Sequence, residues 1–135
     1  LEKVDAFVEK EKPDIIIIDQ LDKVHMPGSF ARTDEKLRAI YTGAREIAKR
    51  RNCCLIAISQ ASADASGKLD ITFDMMENSK TGKAAEADVI IGVGFRNKLD
   101  TDQDLRSIAV SKNKITGWHG MIPCKIIPQL SRYVE

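Results

Sequence analysis

The stretch Asp14-Ile15-Ile16-Ile17-Ile18-Asp19-Gln20 decides the fold. Four successive β-branched residues read as a strand buried on both faces, the kind found in parallel sheets covered by helices. Open α/β sheets bind their ligands at the carboxyl ends of the strands, and that is where the carboxylate of Asp19 emerges. A carboxylate in that position can hold Mg²⁺ beside nucleotide phosphates. It can also do no more than cap the next turn.

The flanking sequence supplies the rest of an α/β pattern. Upstream, Leu1, Val4, Phe7 and Val8 recur at helical spacing, and Pro13 ends that segment. Downstream, a polar loop over residues 25–33 holds Pro27 and Gly28. Thr33 or Asp34 is then placed to cap a long helix reaching about Arg51, whose inner face carries Leu37, Ile40, Tyr41, Ala44, Ile47 and Ala48. A second buried strand, Cys53-Cys54-Leu55-Ile56-Ala57-Ile58-Ser59, ends at Gln60. Strand, helix and strand together predict a right-handed parallel crossover.

Residues 61–82 form a long polar stretch with little periodicity, and loops of that length in compact domains are usually functional or mobile. A short helix near residues 83–87 leads to a third strand over residues 88–93, expected to join the parallel sheet. Beyond Arg96 the pattern changes to a turn over residues 97–104 and strands over residues 105–112, 121–127 and 132–134. These read as antiparallel hairpins added to one edge of the parallel sheet.

Composition bounds the function without naming it. The chain has 135 residues and a formal net charge of +1, enough for one domain with a core and too balanced for a polybasic nucleic-acid coat. Cys53, Cys54 and Cys124 form no metal-ligand spacing, which fits a reduced, cytoplasmic setting. No apolar run has membrane-spanning length. Ser66-Gly67-Lys68 lacks the first Gly and the Ser/Thr of a phosphate loop, and Gly92-Val93-Gly94 lacks the helix of a dinucleotide fingerprint. Trp118 and His119 sit at a hairpin tip, and His25 has no triad partners.

Three strand ends therefore carry Asp19, Gln60 and the region of residues 92–96. A carboxylate on one strand and an amide on the next is the arrangement of RecA-like motors, where the amide can follow the γ-phosphate. The ordered set Ile15-Ile16-Ile17-Ile18-Asp19, Leu55-Ile56-Ala57-Ile58-Ser59-Gln60, Ala87-Asp88-Val89-Ile90-Ile91 and Lys112-Asn113-Lys114-Ile115-Thr116-Gly117 resembles the hexameric replicative helicases of the DnaB type and the related phage primase–helicases. The resemblance covers nearly the whole chain. It implies a RecA-like P-loop NTPase core, hydrolysis of ATP or another NTP with Mg²⁺, translocation on single-stranded DNA, a homo-hexameric ring and a possible primase partner.

Carried over residue by residue, Asp19 looks like the Walker-B carboxylate and metal ligand, and Gln60 like the sensor linking nucleotide state to the DNA loops. The segment of Lys112 and Lys114 looks like the strand end that reaches a neighbouring subunit's nucleotide. Family members place Arg at the position of Lys114, and Lys keeps the charge but not the planar fork of guanidinium. Two exposed lysines blunting a sheet edge would read the same way. The resemblance assigns DNA contacts to the loop before the third strand, with Lys68, Ser79, Lys80 and Lys83 as candidates that a backbone-tracking site would use.

No G-x-x-x-x-G-K-[ST] occurs in the chain, and nothing upstream of Pro13 offers the family's catalytic glutamate. Residues 1–135 are accordingly expected to be a single domain, the C-terminal part of a RecA-like helicase ATPase domain whose phosphate loop lies upstream. A RecA-like recombination or regulatory ATPase, or an α/β interaction module without enzymatic activity, would share this pattern.

Overall fold

The isoleucine run folds as strand β1, Ile15–Asp19, and the second apolar run as β2, Cys54–Ile58. The two pair in parallel, with Ile15 opposite Cys54 and Asp19 opposite Ile58. Helix α1, Glu2–Glu11, precedes them, and helix α2, Thr33–Arg51, makes the crossover. The structure is a computed structural model that describes residues 1–76 and 82–135. The chain divides into two compact units, Leu1–Gln60 with Asn78–Ala87, and Ala61–Glu77 with Asp88–Glu135.

The core of the first unit forms where α2 meets one face of the strand pair. Leu37, Ile40, Tyr41 and Ala44 recur at helical spacing and are buried with Leu21, while Ile18, Leu55 and Ala57 pack against them from the strands. Each large side chain buried this way contributes roughly 1.5–3 kcal/mol. Helix α1 is fastened to the end of α2 by Asp5, which accepts hydrogen bonds from Arg50 and Arg51 at 2.7 and 2.9 Å. The Arg51 contact leads in holding the Asp5 carboxyl below its ordinary value. Asn52 closes α2 in the left-handed conformation, where an Asn is tolerated better than most residues.

Two expectations for this unit are corrected. Neither Thr33 nor Asp34 caps α2: the capping position is Arg32, and Asp34 instead accepts from the Arg32 Nε at 2.9 Å. The isoleucine strand is covered on one face only. Ile16 and Ile18 turn inward, whereas Ile15 and Ile17 stay 58% and 64% exposed, joined on the same face by Ile56 and Ile58. One helix can cover only one face of a strand pair.

The second unit is an antiparallel sheet in the order β3-β4-β5-β6, comprising Val89–Gly94, Leu105–Asn113, Gly120–Ile127 and Arg132–Val134. The antiparallel hairpins form as expected, but in a sheet of their own and not on an edge of the parallel pair. Strand β3 itself pairs with β4 and with neither β1 nor β2, so the expected third parallel strand belongs to this sheet instead. Between β3 and β4 the expected turn is replaced by a short helix, Lys98–Asp102. Asn97 caps it by accepting from the Asp100 N–H at 3.0 Å, and the Asp100 carboxylate grips Arg96 through Nε and Nη2.

Gly92 and Gly94 have a role that the sequence does not disclose. A Cβ on Gly92 would strike Ile71, and one on Gly94 would strike the backbone of Lys68 and Leu69. The missing side chains let residues 68–71 lie as a strap directly against β3. Ser107 on β4 fastens the strap by donating its hydroxyl to the Leu69 carbonyl. Gly94→Val should lift the strap at a cost of about 1–3 kcal/mol. A lowered urea midpoint, with faster tryptic cleavage after Lys68, is the expected outcome.

Candidate functional site

The parallel register brings β1 and β2 to a stop together. Asp19 lies level with Ile58 and, like Ile58, is exposed on the face that α2 leaves uncovered. Ser59 and Gln60 leave β2 beside it. Past Asp19 the chain enters a cis peptide bond to Gln20 and a 3-10 turn, Leu21–Lys23. An open cleft of about 490 Å³ forms there, lined by Ile18, Asp19, Gln20, Lys23 and Val24. The Gln20 Oε1 atom is buried and finds no hydrogen-bond partner among the described residues.

This donor set fits Mg²⁺ with nucleotide. Among the described residues no group of three or more His, Cys, Asp and Glu side chains converges on one point. Mg²⁺ does not require such a cage, since it commonly takes one or two carboxylates and completes its shell with phosphate oxygens and water. Asp19 offers that carboxylate at the mouth of the cleft, and the unpaired Gln20 oxygen offers a polar partner beside it.

Behind the strand ends lies a buried ionic cluster. Leu21, fully buried, plugs the core and thereby carries Asp22 inward. Asp22 Oδ2 accepts from Lys83 Nζ at 2.7 Å and from the Ser59 hydroxyl at 2.8 Å, and Oδ1 accepts from the Tyr41 hydroxyl at 2.8 Å. Lys83 also donates to Ser59 at 3.0 Å and lies over the Tyr41 ring, 5.6 Å from its centre. The Lys83 side chain is 0% exposed and that of Asp22 13%. Burial alone would raise the Asp22 pKa, but the hydrogen bonds from Lys83, Tyr41 and Ser59 outweigh it and hold the carboxyl below its ordinary value. Tyr41 is pushed upward, chiefly by burial. Lys83 belongs to helix α3, Gly82–Glu86, which α2 also holds by a Thr42–Glu86 hydrogen bond of 3.1 Å.

In the second unit, Lys112 lies on β4 and Lys114 just past its end. Asn113 between them builds the turn, its Oδ1 accepting from the N–H groups of Ile115 and Thr116 at 3.0 and 3.2 Å. Lys114 is half exposed, with its Nζ 3.8 Å from Asp88. Lys68 is exposed on the strap.

Two solved structures share this architecture. One, an ATPase domain, matches with a TM-score of 0.83 at 16% identity, over 99% of this chain and 50% of that one. The other, a DnaB-like replicative helicase described together with its interactions with primase, matches with a TM-score of 0.79 at 16% identity, over 98% of this chain and 33% of that one. The fold is that of a DnaB-like helicase motor domain. The chain spans half the length of the first of these structures and a third of the second. No protein-family model and no curated protein matches it.

Within this fold the structure brings Asp19 and Gln60 to one end of the parallel pair, whereas residues 92–96, expected as a third strand end beside them, form the end of β3 in the antiparallel sheet. Ser79 and Lys80 lie outside the described residues. Lys83 is corrected. Expected as a DNA-contacting charge, it is enclosed among Asp22, Ser59 and Tyr41 and presents no ammonium to a phosphate. Asp22, Ser59 and Tyr41 escape sequence reasoning, because nothing local marks residues so far apart as one cluster. The one available signal is Asp22 itself, a second acid shortly after Asp19. Among the described residues no helix is long and apolar enough to cross a membrane.

Removing one member of the buried pair should be costly. Lys83→Met is expected to lower unfolding free energy by about 3–5 kcal/mol, most of it recovered by adding Asp22→Asn. The Asp22 pKa is lower in the folded chain than in the unfolded one. Its contribution is therefore complete above the unfolded carboxylate value of ~3.9 and lost as pH falls through the lower folded value. Urea unfolding across acid pH should show that loss in the wild type and a weaker one in the double variant.

Proposed function

We propose that this chain is the C-terminal part of the motor domain of a replicative DNA helicase, which couples hydrolysis of ATP or another NTP to translocation on single-stranded DNA and unwinding of duplex. The observation that carries this reading is the pairing of Asp19 and Gln60 at one open end of a parallel strand pair, in a helicase motor fold. In the intact protein a phosphate loop would come from a segment preceding this one. The working form would be a cytoplasmic homo-hexamer, with primase as a possible partner.

Each residue then has a stated task. Asp19 would hold Mg²⁺, whose charge offsets that of the phosphates during transfer to water. Gln60, exposed at the end of β2, would hydrogen-bond the terminal phosphate or the attacking water and lose that bond on hydrolysis. Lys112 and Lys114 would present positive charge to a neighbouring subunit's nucleotide, with Lys114 in the place of an arginine. Lys68 would meet the phosphate backbone of single-stranded DNA, with Ser79 and Lys80 as further candidates. The bare face of Ile15, Ile17, Ile56 and Ile58 would be covered by the remainder of the motor domain.

Two outcomes test this. The intact protein should hydrolyse NTP and lose that activity with Asp19→Asn, while residues 1–135 alone turn over negligibly. NTP hydrolysis by the intact protein that survives Asp19→Asn would sink the reading. Ile17→Ser should leave the stability of the isolated chain nearly unchanged and cost about 1.5–3 kcal/mol in the intact protein. Equal effects in both would mean that this face stays in water.

A further inference from the structure

The cleft past the end of β1 is lined by two opposite charges that do not answer each other. Asp19 and Lys23 both line it, together with Ile18, Gln20 and Val24. Both are exposed, and neither has a hydrogen-bond or ion-pair partner among the described residues. Lys23 nevertheless rises from a fixed base. Before it, Leu21 is fully buried in the core, and Asp22 is held by Tyr41, Ser59 and Lys83. Its own N–H donates to the Gln20 carbonyl at 3.1 Å, and the Val24 N–H donates to the Leu21 carbonyl at 3.0 Å. The backbone under Lys23 is thus tied on both sides, while its ammonium is left to the cleft.

The lining divides by chemistry. Asp19 and Gln20 offer oxygens that suit a hard cation, Ile18 and Val24 are apolar, and Lys23 supplies the one positive charge. A ligand that satisfies this set carries a cation and an anion together. A divalent cation riding on a chain of phosphates has that form. The metal takes carboxylate oxygen and keeps phosphate oxygens in its shell, and an ammonium is a compact point-charge donor to phosphate.

We infer that Lys23 is a phosphate-contacting residue of the Asp19 site, with its Nζ donating to the phosphate chain whose metal Asp19 holds. This rests on the function proposed above and deepens it by assigning a partner for the anion within this chain. One ligand then answers both charges of the cleft. Recognition here is of phosphate and not of base, since no aromatic ring is among the residues that line the cleft.

The test uses the intact protein and magnesium pyrophosphate, a probe with neither base nor sugar. Its affinity is measured by isothermal titration calorimetry for wild type, Lys23→Ala and Lys23→Arg, with thermal unfolding recorded in the absence of ligand. Lys23→Ala should weaken pyrophosphate binding by about tenfold or more, the loss of one hydrogen bond to a charged group. The KM for NTP should rise by a similar factor, whichever base the NTP carries. Lys23→Arg should retain most of the affinity, because the charge stays. Both variants should unfold at the wild-type temperature, as expected for an exposed side chain without a partner.

Unchanged pyrophosphate affinity in Lys23→Ala overturns the inference and leaves the proposed function standing. Equal losses in Lys23→Ala and Lys23→Arg overturn it too, since the charge would then not be what holds the ligand. So does a lowered unfolding temperature of ligand-free Lys23→Ala, which would make the lysine a structural partner of an acid elsewhere in the intact protein. A wild type that binds neither magnesium pyrophosphate nor NTP removes the proposed function as well.

Discussion

The first unit is organised around a charge held out of water. Lys83 reaches the interior because three groups answer it there: a carboxylate, a hydroxyl and the face of a tyrosine ring. Each of those groups belongs to a different element. Asp22 follows β1, Ser59 follows β2 and Tyr41 lies within α2. An unpaired ammonium in this position would cost far more than a hydrogen bond returns. The unit therefore holds these elements in one arrangement or gives up the pair. That constraint also fixes where Asp19 and Gln60 come to rest, since each lies within a few residues of a member of the cluster.

Apolar side chains alone would give a looser result. The contact of α2 with Ile18, Leu55 and Ala57 is non-directional and would tolerate a small slide of one strand along the other. Hydrogen bonds of 2.7–3.0 Å do not. The aliphatic core supplies most of the stability, and the polar cluster sets the register at the end of the sheet where chemistry is expected.

Much of this is legible in the sequence, and the parts that are not share a cause. Ile15–Ile18, the periodic face of α2 and the apolar run ending at Ile58 announce themselves through local pattern, so the parallel crossover follows from them. Asp19 and Gln60 can be found because strand ends are where such residues are looked for. Lys83 misleads because a lysine in a polar stretch beside Gly82 looks solvated, and the acid that claims it lies 61 positions away. Gly92 and Gly94 look empty for the same reason: the strap that needs their missing side chains is remote in sequence. The partner of β3 is hidden because an apolar strand of that composition fits a parallel or an antiparallel neighbour equally well. Similarly, four isoleucines signal a strand that can be buried on both sides, but the number of covering layers is a property of the surrounding chain.

The uncovered face of the parallel pair carries its own chemical requirement. It is aliphatic along Ile15, Ile17, Ile56 and Ile58, and it ends in the carboxylate of Asp19. A layer laid across it gains by burying the isoleucines. The same layer would strip water from Asp19, and a carboxylate left unpaired under such a layer costs several kcal/mol. Whatever covers this face must therefore be apolar over most of its length and must bring a cation or hydrogen-bond donors to the Asp19 end. A helix preceded by a loop of backbone N–H groups meets both demands, because its flank is apolar and its N-terminus is where anions and the cations bound to them collect. The surface thus specifies the polarity of its own cover, with the hydrophobic stripe and the carboxylate of Asp19 as parts of one face.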